Sequence, residues 1–156
     1  MPPVLPKLLV QALALTRVPV GDFLGPSQKG TTLHIAWEDK WAALQAFAEG
    51  RPKEHEAIRK RLREHVAYAK DRYTTSEASA KELEAILEED RKNPGPMTPR
   101  RIEQLERTTE NLAIYRASAL SWRGIHMRKL KEEAAMLALG KHLKRLHDKK
   151  KAGVEP

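Results

Sequence analysis

Asn93-Pro94-Gly95-Pro96 cuts the chain between two long stretches whose apolar residues recur at helical spacing, and that one break leaves few folds open. Two prolines and a glycine remove backbone donors and helical geometry together, so no helix runs through it. Upstream, Ile58, Leu62, Val66, Ala69, Tyr73, Ala80, Leu83 and Leu87 follow a 3.5–3.6 repeat, which predicts a helix over 53–92. Thr74, Thr75, Ser76 and Ser79 form a weaker patch at which that helix can bend. Downstream, Thr98-Pro99 reads as an N-cap followed by proline at the first helical position, where a missing N–H costs nothing. Ile102, Leu105, Leu112, Ala119, Trp122, Leu130 and Leu137, joined by Met136, Leu139, Leu143 and Leu146, carry this helix to 147, with Gly124 and Gly140 as points of relaxation. Two long helices on a short turn make a long antiparallel helical hairpin. Each exposes its stripe when alone, so the stripes pair with each other or lie against other chains.

Ahead of the hairpin, Trp37, Trp41, Leu44 and Phe47 mark one face of a shorter amphipathic helix over 31–49, closed by Gly50 and Pro52. Gly21, Gly25, Pro26 and Gly30 make 21–30 a connector. Residues 1–20 hold Lys7 and Arg17 and no acid, with Leu8, Leu9, Ala12, Leu13 and Leu15 as an apolar helical segment. Two readings fit: a presequence-like leader, or an N-terminal apolar arm whose helix packs on a neighbour, and the second is preferred. No small-residue cleavage motif of a secretory signal follows. The expected architecture is therefore all-α: an arm and connector over 1–30, a helical domain over 31–151 and a tail over 152–156. No β-branched runs compete with it, and 32% charged residues place the chain near long-helix compositions. The uncharged run between Lys7 and Arg17 is far below the roughly 20 residues a conventional transmembrane helix needs.

Charge is distributed unevenly. Of the net +8, residues 97–156 hold 14 bases against seven acids, while 31–96 are nearly balanced. Such polarity suits docking of one end on something anionic. Lys141, Lys144, Arg145, Lys149, Lys150 and Lys151, with Asp148 as the single acid among them, are the candidate contacts to lipid headgroups or RNA phosphates. The same lysines also complement the negative end of their own helix.

Catalytic patterns are absent from the sequence. Cysteine is lacking altogether, which excludes disulfides, thiolate metal sites and cysteine nucleophiles. Glu88-Glu89-Asp90 and Glu132-Glu133 read as solvated helix surface. His55 with His65 and His142 with His147 miss the i, i+4 spacing that places two ligands on one helical face. Ser76, Ser118 and Ser121 lack a strand–turn–helix context, and no glycine-rich loop resembles a phosphate cradle. No enzyme, cofactor or metal is expected. Tyr115-Arg116 and Trp122-Arg123 interleave rings with cations as RNA-stacking surfaces do. Trp122, however, continues the apolar stripe, so it is placed with Trp37, Trp41, Leu44 and Phe47 as a core or partner-interface residue.

Two short motifs resemble those of known families. Ile114-Tyr115-Arg116 is similar to the Leu-Tyr-Arg signature of small helical mitochondrial proteins, and Ser121-Trp122-Arg123-Gly124 to the Ser-Arg-Arg-Gly of a ribosomal protein built on a long helical hairpin. The first lies mid-chain instead of opening the first helix, and the second lacks the family's surrounding histidines and arginines. No family membership and no residue role follows from either.

These readings converge on a non-enzymatic helical accessory subunit of a large multi-subunit assembly. A mitochondrial inner-membrane energy-converting complex is the favoured setting, and the cytoplasm the other. Two alternatives stay open. One is an RNA-binding ribonucleoprotein subunit using Arg100, Arg101, Arg107, Arg116, Arg123, Arg128, Lys129 and the tail. The other is a self-associating coiled-coil protein.

Overall fold

A computed structural model describes residues 3–26 and 33–153. Among them are five helices and no strand: α1 (Lys7–Thr16), α2 (Val20–Leu24), α3 (Trp37–Ala48), α4 (Lys53–Lys92) and α5 (Pro99–Lys151). The chain is all-α, and α4 and α5 pair as the arms of a helical hairpin. No helix among the described residues is long and apolar enough to cross a membrane. Parts of the expected arm, the connector, the start of the helix expected over 31–49 and the tail (1–2, 27–32 and 154–156) lie outside the described residues.

The chain divides into two compact units, one formed by Met1–Val66 with Met127–Pro156, the other by Ala67–His126. In the first, α1 buries Leu9 and Leu13, α2 buries Phe23, α3 buries Trp41 and Leu44, α4 buries Ile58 and Leu62, and α5 buries Met136, Leu139 and Leu143, all in one cluster. Each large side chain so removed from water contributes about 1.5–3 kcal/mol. The apolar N-terminal segment is thus a core element. Its helix ends in a Schellman turn, with Arg17 left-handed at φ 58° and the Val18 N–H donating to Leu13 O at 3.0 Å. Pro19 then caps the start of α2 (Val20–Leu24), so residues 21–24, expected as connector, are helical instead.

Helix α3 also starts later than expected. Leu33 and Ile35 are buried from an irregular segment, and only from Trp37 does the chain turn helical, with Glu38 and Asp39 in the first turn favoured by the helix dipole. At the other end of the chain, α5 passes the expected His147 and runs to Lys151, because Lys149, Lys150 and Lys151 neutralise the exposed carbonyl end of the helix.

In the second unit the helices meet along a seam of small residues. Ala69, Ser76 and Ala80 of α4 and Ala119 of α5 are buried together with Leu112 and Ile125. The Ser76 and Ser118 hydroxyls pair at 3.1 Å, which satisfies polar groups placed in the seam. Tyr68 meets Trp122 edge-on with ring centroids 5.5 Å apart, and the Arg72 guanidinium lies 5.6 Å from the Trp122 ring. At the turn, Arg101 grips both oxygens of Asp90 at 2.8 Å and also donates to Gly95 O, while Thr98 caps α5 by accepting from the Arg101 N–H at 3.2 Å. A bidentate arginine across the break holds the two helix ends together.

The buried face of α5 follows a seven-residue repeat. Leu112 and Ala119 keep that interval, and so do Lys129, Met136 and Leu143. A 3.5 spacing therefore puts Lys129 where the apolar pattern favours Leu130. Leu130 and Leu137, each one position past the seam, are 39% and 36% exposed.

Candidate functional site

The most unusual chemistry is a buried ionic cluster in the first unit. Lys40, Lys129 and Glu132 are all 1% exposed or less. Lys40 Nζ donates to Glu132 Oε2 at 2.9 Å, and Lys129 Nζ to Glu132 Oε1 at 3.0 Å. Lys40 further donates to the Phe23 and Leu24 carbonyls at the end of α2, and Lys129 to Leu33 O. All three protons of Lys40 have acceptors, so the geometry calls for an ammonium. Burial nevertheless pushes its pKa below the ordinary lysine value, with the Glu132 carboxylate acting in the opposite sense. Glu132 was expected on a solvated face and Lys129 on an exposed RNA-facing side, and both expectations are corrected. The repeat that turns Lys129 inward carries Glu132, one helical turn on, to the same side. The cluster ties α2, the entry to α3 and α5 into one body.

A second close contact lies between α4 and α5. His55 is 2% exposed, stacks on Phe47 with ring centroids 4.4 Å apart, and its Nε2 pairs with Met136 O at 3.2 Å. Burial lowers its pKa, against the raising effect of the Met136 carbonyl. The ring fits because residue 140 is glycine: a Cβ there stands 2.9 Å from His55 Nε2 and 3.3 Å from Phe47 Cδ1. Alanine in place of a helical glycine ordinarily adds up to about 1 kcal/mol of stability. Gly140→Ala is expected instead to lower it by about 1 kcal/mol, since overpacking costs about 1–3 kcal/mol and the stacked ring has nowhere to go. Chemical denaturation checks the sign, and His55→Ala in the same chain should restore the ordinary gain.

The five aromatic and leucine residues assigned to a partner interface occupy different settings. Trp41 and Leu44 are in the core, Trp37 packs partly buried against it, and Phe47 is half-buried on His55. Trp122 is half-buried on the hairpin beside Tyr68 and Arg72. They are not gathered on one surface.

The six basic candidates sit on the last turns of α5. Lys141, Arg145, Lys149, Lys150 and Lys151 are exposed, and Lys144 is half-buried with its Nζ 5.9 Å from the Phe47 ring. Their field reaches inward: burial first, then Arg145 and Lys149, hold the pKa of His142 below its usual value. Beside them, α1, α3 and α5 line a cleft of about 380 Å³ with the apolar residues Leu8, Trp41, Ala48, Leu143 and Leu146 and the polar residues Gln45, Glu49, His147 and Lys150. The cleft escaped the sequence because its walls come from three separate helices.

Several of the arginines considered for RNA are engaged within the chain. Arg101 holds Asp90, Arg107 holds Glu103 at 3.2 Å, Arg116 holds Glu84 at 2.6 Å, and Arg123 lies 3.9 Å from Glu77. The fold and its interior thus define an all-α protein organised by a helical hairpin and a buried lysine–glutamate cluster. No family model, curated protein or solved structure matches the chain.

Proposed function

We propose that this chain is a non-enzymatic helical subunit of a larger protein assembly, docked to other subunits through the hairpin of residues 67–126. The observation that carries the reading is an imbalance in that unit. Its buried seam is largely Ala69, Ser76, Ala80 and Ala119, whereas larger apolar side chains are left outside: Tyr68, Ile86, Ile102, Ile114 and Leu120 are 49%, 54%, 41%, 62% and 72% exposed. Small seam residues bring little apolar burial to set against the entropy of ordering two helices. Contact with a partner adds the missing burial. Ile102 and Leu120 lie about five full turns apart on α5, and Tyr68 and Ile86 stand in the same relation on α4, so each helix offers one face with an apolar residue near either end.

The internal pairing of Arg101, Arg107, Arg116 and Arg123 favours protein over RNA as the hairpin's partner. The exposed lysines at the end of α5 suit an anionic membrane surface, in keeping with a mitochondrial inner-membrane setting. The packing of α1 into the core supports a retained arm in place of a removable leader.

Affinity purification of the tagged chain from mild detergent, with and without nuclease, followed by mass spectrometry, tests the reading. Recovery of a fixed set of subunits that survives nuclease, and is lost in the Ile102→Glu, Leu120→Glu double variant, is the expected result. Both positions are exposed, so the variant's own unfolding midpoint should hardly move. Nuclease-sensitive recovery of RNA and ribosomal proteins would establish the ribonucleoprotein alternative, and a symmetric oligomer of the isolated chain in sedimentation the coiled-coil one.

A further inference from the structure

The cleft at the basic end of the first unit has features of a binding site that the hairpin reading does not use. We propose that it takes a single-chain anionic amphiphile, a fatty-acid carboxylate, with the acyl chain along Trp41, Leu143 and Leu146 and the headgroup at Lys150 and His147. The inference is independent of the docking proposed for residues 67–126.

Size and lining set the class. At about 380 Å³ the cleft is at the small end of the roughly 300–1,000 Å³ range of ligand sites, which suits one alkyl chain and not a two-chain lipid. Its lining divides into five apolar side chains from α1, α3 and α5 and four polar ones from α3 and α5. An aliphatic tail with one polar end is the ligand shape that matches such a division.

Charge decides the headgroup. Lys150 lines the cleft, with Lys149 and Lys151 beside it in sequence. The helix terminus contributes only about half a negative charge and Asp148 one more, so three lysine charges outweigh them. The acid in the lining, Glu49, is already engaged by Arg51 at 2.5 Å. A carboxylate placed there meets a net positive field, while a neutral headgroup gains nothing from it.

Trp41 reports on the cleft directly. The chain has three tryptophans, and Trp37→Phe with Trp122→Phe leaves Trp41 as the sole emitter. Titration of that variant with 12-bromododecanoate, kept below its micelle concentration, should quench the emission saturably through the heavy atom at the chain's end. Lys150→Glu should weaken the apparent affinity by roughly tenfold, the equivalent of one lost charge-assisted hydrogen bond. Ala48→Phe should fill the cleft and abolish quenching with circular dichroism unchanged, and Leu146→Gln serves if that variant does not fold.

Absence of saturable quenching in the folded protein would overturn the proposal. Equal quenching by 12-bromododecanol, or indifference to Lys150→Glu, would overturn it by showing that the charge is not read. A self-associated form that 12-bromododecanoate does not quench would give the cleft to a second copy of the chain.

Discussion

Glu132→Gln is expected to destabilise the chain by about 3–5 kcal/mol, read as a fall in the urea midpoint at pH 7. The substitution keeps the shape of the side chain and removes only its charge. Lys40 and Lys129, each at most 1% exposed, then face one another across an amide with no anion between them. Breaking a buried ion pair from one side leaves an uncompensated charge in a low-dielectric interior, and here it leaves two. Lys40→Met should cost less, about 1–3 kcal/mol, because Lys129 and Glu132 remain as a balanced pair and the main loss is the donor to the Phe23 and Leu24 carbonyls. The order of the two variants is the informative quantity. If Glu132→Gln were the milder change, the carboxylate would not be the centre of the cluster.

Gly25→Ala should be nearly as severe, with a loss of about 4 kcal/mol. Gly25 sits at φ 77° and ψ −179°, a region that only glycine occupies readily, and forcing alanine into it costs about 1–3 kcal/mol. The new Cβ would also stand 2.6 Å from Glu132 Cδ. That carboxylate is held on both oxygens by lysines, so it cannot step aside, and overpacking adds about 1–3 kcal/mol more. Gly21→Ala is the natural control, since a Cβ there meets nothing within 4 Å. Thermal unfolding of the two variants side by side should show a large fall for the first and little change for the second. A comparable loss in both would point to α2 itself instead of the contact with Glu132.

Much of the architecture was legible because it depends on local rules. The break at 93–96, the cap at Thr98 and the end of α3 at Gly50 are backbone chemistry, which a sequence states residue by residue. The hairpin followed from them. Legibility failed where a position's meaning depended on a distant partner. Residues 21–24 looked like a glycine-bearing connector, and Phe23 makes them helical by entering a core that other helices supply. Leu130 looked more apolar than Lys129, but the seam follows spacing, and a lysine can occupy it when Glu132 and Leu33 O await it. The basic run of α5 could be read directly, whereas the apolar cleft beside it exists only once α1 and α3 arrive.

The sequence by itself determined the helical class, the hairpin and the basic terminus, because periodicity, capping and charge act within a few residues of one another. The tertiary structure alone decided which charges are buried and which glycines must stay glycine. A buried ammonium is stable only beside acceptors brought from elsewhere in the chain, as Lys40 is beside Glu132 and the end of α2. Gly25 and Gly140 are likewise constrained by the Glu132 and His55 side chains that packing delivers against them. Proximity between residues remote in sequence is not a property of any one segment, so it enters only when the helices pack.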